Sequence, residues 1–149
     1  MKYFKGKLPE LKLVYKKGEE KRFKVSSSKD AYKGLKELYD LDIIEYCESS
    51  VVLYLNRANN TLGWKLISQG GISGTVIDPK IIYATALQCG ASAIILSHNH
   101  PTGILSPSDA DKRVTKTIVD AGKLFDIQVL DHIIVTTDGY YSFSDEGLM

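Results

Sequence analysis

Hydrophobic and polar positions recur along the chain with helical and strand periods, and these periods predict its elements. After three serines that offer N-caps, apolar residues recur at helical spacing and predict a helix over residues 28–39. The apolar, β-rich run 51–55 predicts a buried strand, and residues 61–68 return as its hairpin partner. Trp64 in that partner is predicted to be buried or half-buried.

The second half of the chain continues with alternating helices and strands. Pro79 is tolerated at a first helical position and Gly90 suits a helix end, so a second helix is predicted between them. The elements predicted after it are a strand over 91–97, a helix over 108–125, a strand over 127–137 and a short strand over 140–143. This order predicts a mixed α/β sandwich around one sheet.

Composition is that of one soluble domain, with 149 residues, 44% hydrophobic and 25% charged. The net charge of +1 argues against a general polyanion binder. Residues 1–24 nevertheless carry nine Lys or Arg against three Glu. We interpret residues 1–25 as a basic arm with one or two edge strands. That arm is either a solvated charged edge or a contact surface for an acidic partner or nucleic acid.

Cysteine usage and hydropathy suggest where the protein resides. Cys47 and Cys89 form no C-x-x-C pair, as expected of free thiols in a reducing compartment. The N-terminus alternates Lys with apolar residues and does not resemble a signal peptide, and no apolar run approaches the length of a membrane span. We therefore expect a cytoplasmic protein without membrane contact.

A histidine pair at the end of the apolar run 93–96 carries the most specific chemistry. In an extended chain His98 and His100 share a face, which suits two imidazoles that bind one zinc ion. Ser108-x-x-Asp111 then opens a helix and supplies a carboxylate. Three such ligands leave a fourth tetrahedral position for water, as in a catalytic zinc site. Taken alone, the Ser-x-x-Asp pattern is equally a helix cap.

With these motifs in view, the chain resembles the RadC family of JAMM (JAB/MPN) metallohydrolase-like proteins over about residues 26–148. The resemblance is carried by His98-x-His100-Pro101-x-Gly103, by Ser108-x-x-Asp111, by Asp131-His132 and by the ending 141–147. It implies a cytidine-deaminase-like α/β/α sandwich for a JAB/MPN domain over residues 26–149. It also implies a zinc ion bound by His98, His100 and Asp111.

The resemblance further implies a glutamate that precedes the zinc motif and acts as the general base. Glu48, directly before the strand at 51–55, is the preferred candidate, and Glu45 is the alternative. Zinc would activate a water molecule, Glu48 would move its proton to the leaving amine, and Ser108 would stabilise the oxyanion. His132 is interpreted as a core residue or as a residue that supports a ligand.

Two classes of function follow from the resemblance. The first is a zinc-dependent hydrolase of amide or isopeptide bonds that acts on a protein or peptide. The second is a DNA-repair-associated accessory protein that binds nucleic acid through the basic arm. Longer RadC proteins carry an N-terminal helix-hairpin-helix module, for which the arm here has no room, so we expect a short form. A base deaminase would need a Pro-Cys-x-x-Cys pair, which is absent. A zinc-free scaffold ranks last, because ligand-type residues stand at all three positions of the zinc motif.

Overall fold

A computed structural model describes residues 21–71 and 74–149, together with the single positions 9, 14, 18 and 19. The elements in these residues follow the predicted order of helices and strands. They are α1 (Ser28–Lys36), β1 (Ser49–Leu55), β2 (Thr61–Gln69), α2 (Pro79–Cys89), β3 (Ala93–Asn99), α3 (Asp109–Leu124), β4 (Gln128–Val135) and β5 (Tyr140–Ser142).

The described strands form one mixed sheet in the order β2-β1-β3-β4-β5. β3 and β4 run parallel, and the other neighbours pair antiparallel. The parallel pair needs a crossover, and α3 provides it. The predicted mixed α/β fold is therefore confirmed, and it is consistent with the JAB/MPN fold.

Alternate residues of the central strands bury two separate cores, one on each face of the sheet. On one face, Val51 and Leu53 of β1 pack in a cluster with Leu35 of α1. On the other face, Val52 and Tyr54 pack with residues of α2 and α3, among them Ile82 and Ile118. The result is a three-layer arrangement, in which every residue of β1 and β3 is buried.

The helix ends follow local capping chemistry. Ser27, one of the three serines that offered N-caps, caps α1 by accepting a hydrogen bond from the Asp30 backbone N–H. The helix ends at Lys36 rather than at the predicted residue 39, because the Leu38 N–H bonds to the Leu35 carbonyl three residues back and tightens the last turn. Gly90 ends α2 with φ of 67°, the left-handed conformation for which glycine is suited.

One packing prediction is wrong. The Trp64 side chain is 53% exposed, not buried. Trp64 lies on β2, an edge strand of the sheet, and neither of the two buried clusters includes it. An edge position leaves a large side chain open to solvent even where the local sequence is β-rich.

The predicted basic arm over residues 1–25, with its edge strands, falls largely outside the described residues. Within it, Lys24 forms an isolated antiparallel bridge with Asn60, and the Val25 N–H donates to the Asn59 carbonyl. Among the residues that the structure describes, no helix has the length and apolar character needed to cross a membrane.

Candidate metal centre

The histidine pair lies where β3 ends, as the sequence predicted. Strand alternation turns His98 toward the face that α2 and α3 cover, and His98 is fully buried. Asn99 points to the opposite face, where its Oδ1 accepts from the Ser49 N–H at 2.7 Å. Its Nδ2 donates to the carbonyls of Ile44 at 2.7 Å and Cys47 at 2.9 Å. Asn99 thus fixes the segment that carries Glu48, a role that the sequence did not reveal.

Asp111 reaches the histidines because of how α3 begins. Ser108 is the N-cap, and its Oγ accepts from the Asp111 N–H at 3.1 Å. In return, the Ser108 N–H donates to Asp111 Oδ2 at 2.7 Å, which completes a capping box. Asp111 Oδ1 then lies 3.3 Å from His98 Nε2, and Oδ2 lies 3.3 Å from His100 Nε2.

The donor atoms of this cluster fit a divalent metal ion. The Nε2 atoms of His98 and His100 are 2.9 Å apart, and ligands about 2.0–2.1 Å from a tetrahedral zinc ion are roughly 3.3 Å from one another. His100 Nδ1 donates to the Ile104 carbonyl at 2.6 Å, so a neutral His100 presents the lone pair of Nε2 to the cluster. Two imidazole nitrogens and one carboxylate suit zinc, although other divalent ions accept the same ligands.

The charges of the cluster are coupled. Burial alone would raise the pKa of the Asp111 carboxyl, but its position beside the His100 and His98 rings and the hydrogen bond from the Ser108 N–H outweigh burial and hold that pKa well below its usual value. The Asp111 carboxylate can accept a hydrogen bond from the protonated form of His100, and this raises the pKa of His100 against the lowering effect of burial. Asp111 is therefore ionised at neutral pH, as a metal-ligating carboxylate must be.

Glu48 and Glu45 lie in different surroundings. Glu48 lies two residues before Ser50, which pairs with His98 across the sheet. Because side chains alternate along an extended chain, Glu48 is turned toward the same face as Ser50 and His98. Partial burial raises the pKa of Glu48. The nearby His98 and His100 oppose this increase, and the Asp111 carboxylate adds to it. Glu45 is exposed and accepts from the Thr137 hydroxyl at 2.8 Å instead.

Ser108 is exposed at the rim of the cluster. Its Oγ accepts the capping hydrogen bond from the Asp111 N–H. A hydroxyl has two lone pairs and one hydrogen, so capping leaves the hydrogen free to donate to another group. The cap and the predicted oxyanion contact are therefore compatible, and the oxyanion contact stays a prediction.

His132 is not one of the three ligand-type residues, but it contacts His98 on the side of the ring that faces away from the other two. His132 Nε2 is 2.7 Å from His98 Nδ1, and His132 Nδ1 is 2.6 Å from the Thr115 hydroxyl. Burial holds the pKa of His132 well below its usual value. Sequence reasoning did not single out Thr115. Its position four residues after Asp111, and so on the same side of α3, is the signal that points to it.

Fold and site together define a class of protein, the α/β domains with a His-x-His pair at a strand end and an Asp in the following helix. Comparison with known families narrows this class. The family model described as "RadC-like JAB domain" matches residues 25–148, so the chain belongs to this family.

Relatives from several organisms support the assignment. A "UPF0758 protein" of Flavobacterium johnsoniae is 43% identical over 126 residues, which cover 84% of this chain and 53% of the relative. A "UPF0758 protein" of Aquifex aeolicus is 34% identical over 133 residues, or 89% and 56% of the two chains. "UPF0758 protein YfjY" of Escherichia coli is 42% identical over 102 residues, or 68% and 64%. The chain thus spans about half the length of most of these curated relatives, and their names state no activity.

Proposed function

We propose that the protein is a zinc-dependent hydrolase of amide or isopeptide bonds that acts on a protein or peptide. One observation carries the proposal: the three ligand-type side chains converge at the end of β3, and the partly buried Glu48, two residues before the Ser50 that pairs with His98, is turned to the same face of the sheet. A metal site with three protein ligands and an adjacent carboxylic acid is the arrangement that metal-assisted hydrolysis requires.

In this proposal His98, His100 and Asp111 hold the metal ion. When bound there, zinc supplies Lewis-acid activation of a water molecule and of the substrate carbonyl group. Glu48 accepts the proton that the attacking water loses and returns it to the amine that leaves. Burial raises the pKa of Glu48 toward the working pH, which suits a group that must both accept and donate a proton.

The Ser108 hydroxyl lies beside Asp111 and donates to the oxygen of the attacked carbonyl as negative charge develops there. Such a donor contributes about 3 kcal/mol to stabilisation of the transition state. Because Ser108 also caps α3, its backbone N–H and its Oγ are each hydrogen-bonded to Asp111. This fixes the donor before the substrate binds.

Glu48→Gln tests the proposal, and Glu45→Gln is a matched control three residues away. Zinc-loaded protein is incubated with a mixture of quenched peptides that contain α-amide or Lys-linked isopeptide bonds, and cleavage is followed by fluorescence. The wild type and Glu45→Gln should cleave at similar rates, and Glu48→Gln should be slower by about 100-fold or more. If the zinc-loaded wild type cleaves these peptides no faster than Glu48→Gln does, the proposal is contradicted.

Nucleic-acid binding is the alternative proposal, and it rests on the charge of residues 1–24, nine basic against three acidic. Binding of single-stranded and duplex DNA is measured at two salt concentrations. A contact through phosphates weakens steeply as salt increases. Binding that disappears when the lysines of the arm are replaced by glutamine would favour this alternative, and absence of binding at low salt would exclude it.

A further inference from the structure

We propose that Thr115 and His132 are positioning residues that hold His98 with its hydrogen on Nδ1 and its Nε2 lone pair facing the metal position. The segment from Ser142 to Ser144 in turn fixes His132. This inference deepens the proposed function and rests on the metal centre described there. It assigns a role to the Asp131-His132 motif and to the C-terminal motif, neither of which supplies a ligand atom.

The direction of the hydrogen bonds starts at Asp111. Its backbone carbonyl can only accept, so the Thr115 hydroxyl donates its single hydrogen to that oxygen, at 2.6 Å. Thr115 Oγ1 therefore has only lone pairs to offer to its second partner, His132 Nδ1, at 2.6 Å. His132 Nδ1 must carry a hydrogen for this contact to be a hydrogen bond.

The donor and acceptor of the next hydrogen bond, between His132 and His98, follow from the protonation of His132. His132 is fully buried, and a second ring hydrogen would place a positive charge in the protein interior, which is costly without a paired anion. A neutral ring with its hydrogen on Nδ1 has a lone pair on Nε2, and that lone pair accepts from His98 Nδ1 at 2.7 Å. A neutral His98 ring that donates from Nδ1 has no hydrogen on Nε2, the atom that faces His100 and Asp111.

The C-terminal segment holds the His132 ring in the orientation that this chain of hydrogen bonds needs. The Phe143 ring is fully buried and stacks on the His132 ring, with centroids 4.7 Å apart and planes 17° apart. The Asp131 carboxylate accepts from the His132 N–H at 2.8 Å, the Ser142 hydroxyl at 2.6 Å and the Ser144 N–H at 3.0 Å. Backbone and ring of His132 are thus anchored separately.

The chain of hydrogen bonds matters because an imidazole binds a metal ion through a nitrogen that lacks a hydrogen. If His98 carried its hydrogen on Nε2, that hydrogen would point at His100 Nε2 and Asp111 and would exclude a metal ion. Partners that orient a metal-ligating histidine in this way change metal affinity by about 10- to 100-fold when removed. We expect changes of that size here.

Zinc affinity of five variants, measured by competition with a chromophoric chelator, tests the inference. Thr115→Val and His132→Phe should each bind zinc about 10- to 100-fold more weakly than the wild type. Thr115→Ser and His132→Gln retain an oxygen acceptor and should recover most of the affinity. Thr61→Val is the matched control, because Thr61 is a buried threonine of β2. It pairs with Leu55, at the opposite end of β1 from Ser50, the partner of His98. Its affinity should equal that of the wild type.

Two spectroscopic readouts separate positioning from a loss of structure. Long-range ¹H–¹⁵N correlation spectra at neutral or higher pH should show the hydrogen of both His98 and His132 on Nδ1 in the wild type. The d–d absorption of the cobalt-substituted protein should change in Thr115→Val while the far-ultraviolet circular dichroism does not. A His98 ring with its hydrogen on Nε2 would overturn the inference, even if His132→Phe fails to fold.

The outcomes also separate this inference from the proposed function. Wild-type zinc affinity in both Thr115→Val and His132→Phe would overturn the positioning role and leave the hydrolase proposal intact. A wild type that binds no zinc would overturn both. Weaker zinc binding in these variants, with amide hydrolysis absent from the zinc-loaded wild type, would support the inference and contradict the proposed activity.

Discussion

Replacement of Asn99 by alanine should destabilise the domain and disable Glu48 while zinc binding is retained. The Asn99 side chain is 1% exposed and makes three hydrogen bonds, to the Ser49 N–H and to the carbonyls of Ile44 and Cys47. Alanine leaves all three backbone groups without this partner. Each lost hydrogen bond costs about 1 kcal/mol, so the free energy of unfolding should decrease by about 3 kcal/mol.

The structure limits how far this figure can increase. Asn99 and Ser49 line a groove beside the exposed Trp64 and Leu66, from which water can enter and partly satisfy the freed groups. The cost should therefore lie near the sum of three ordinary hydrogen bonds and not near the larger cost of three dry, unpaired groups. Activity should decrease more than zinc affinity, since Asn99 holds the segment of Glu48 and not the ligand atoms.

Urea unfolding followed by tryptophan fluorescence measures the change in stability, and chelator competition measures zinc affinity. Asn56→Ala is a suitable control, because the Asn56 side chain accepts from the Ala58 and Asn60 N–H groups in a turn that is more exposed. That variant should lose about 1 kcal/mol and keep its activity. A loss below about 1 kcal/mol for Asn99→Ala, or full activity in it, would refute this reasoning.

Two further predictions concern single side chains. Ser108→Ala removes an N-cap and should lose about 1 kcal/mol of stability, and its hydrolysis rate should decrease about 100-fold. Ser27→Ala removes the N-cap of α1 and should lose the same stability without a change in hydrolysis rate. Equal hydrolysis rates in the two variants would limit Ser108 to capping. Burial raises the pKa of Tyr83 to about 12, so the folded state keeps a proton that the unfolded state releases near pH 10, and stability declines as pH increases through that window. Between about pH 9 and about pH 11 the wild type should lose about 1 kcal/mol more than Tyr83→Phe in urea unfolding, and parallel losses would contradict the shifted pKa.

The sequence predicted the parts of this fold that depend on local periodicity and capping. The helix between Pro79 and Gly90 has the predicted limits, since proline and glycine act on the backbone where they stand. The gathering of His98, His100 and Asp111 was also predictable, because a strand end and the next helix start are close in sequence as well as in space.

Features that depend on distant partners were not predictable. Asn99 bonds to backbone groups about 50 positions away in sequence, and nothing near Asn99 shows where those groups lie. In the sequence Thr115 is an ordinary helical threonine, and only the position of His132 on β4, next to its hydroxyl, gives it a role. The exposure of Trp64 depends on the place of β2 at the edge of the sheet, which a local pattern does not contain.

The central claim is that His98, His100 and Asp111 hold one zinc ion, and metal content tests it most directly. Untagged wild type, His100→Ala and Asp111→Asn are purified in parallel, and their zinc is measured by mass spectrometry of the metal and by native mass spectrometry of the protein. The account predicts about one zinc ion per wild-type chain and much less in both variants. A wild type that stays free of metal when zinc is supplied would contradict the account.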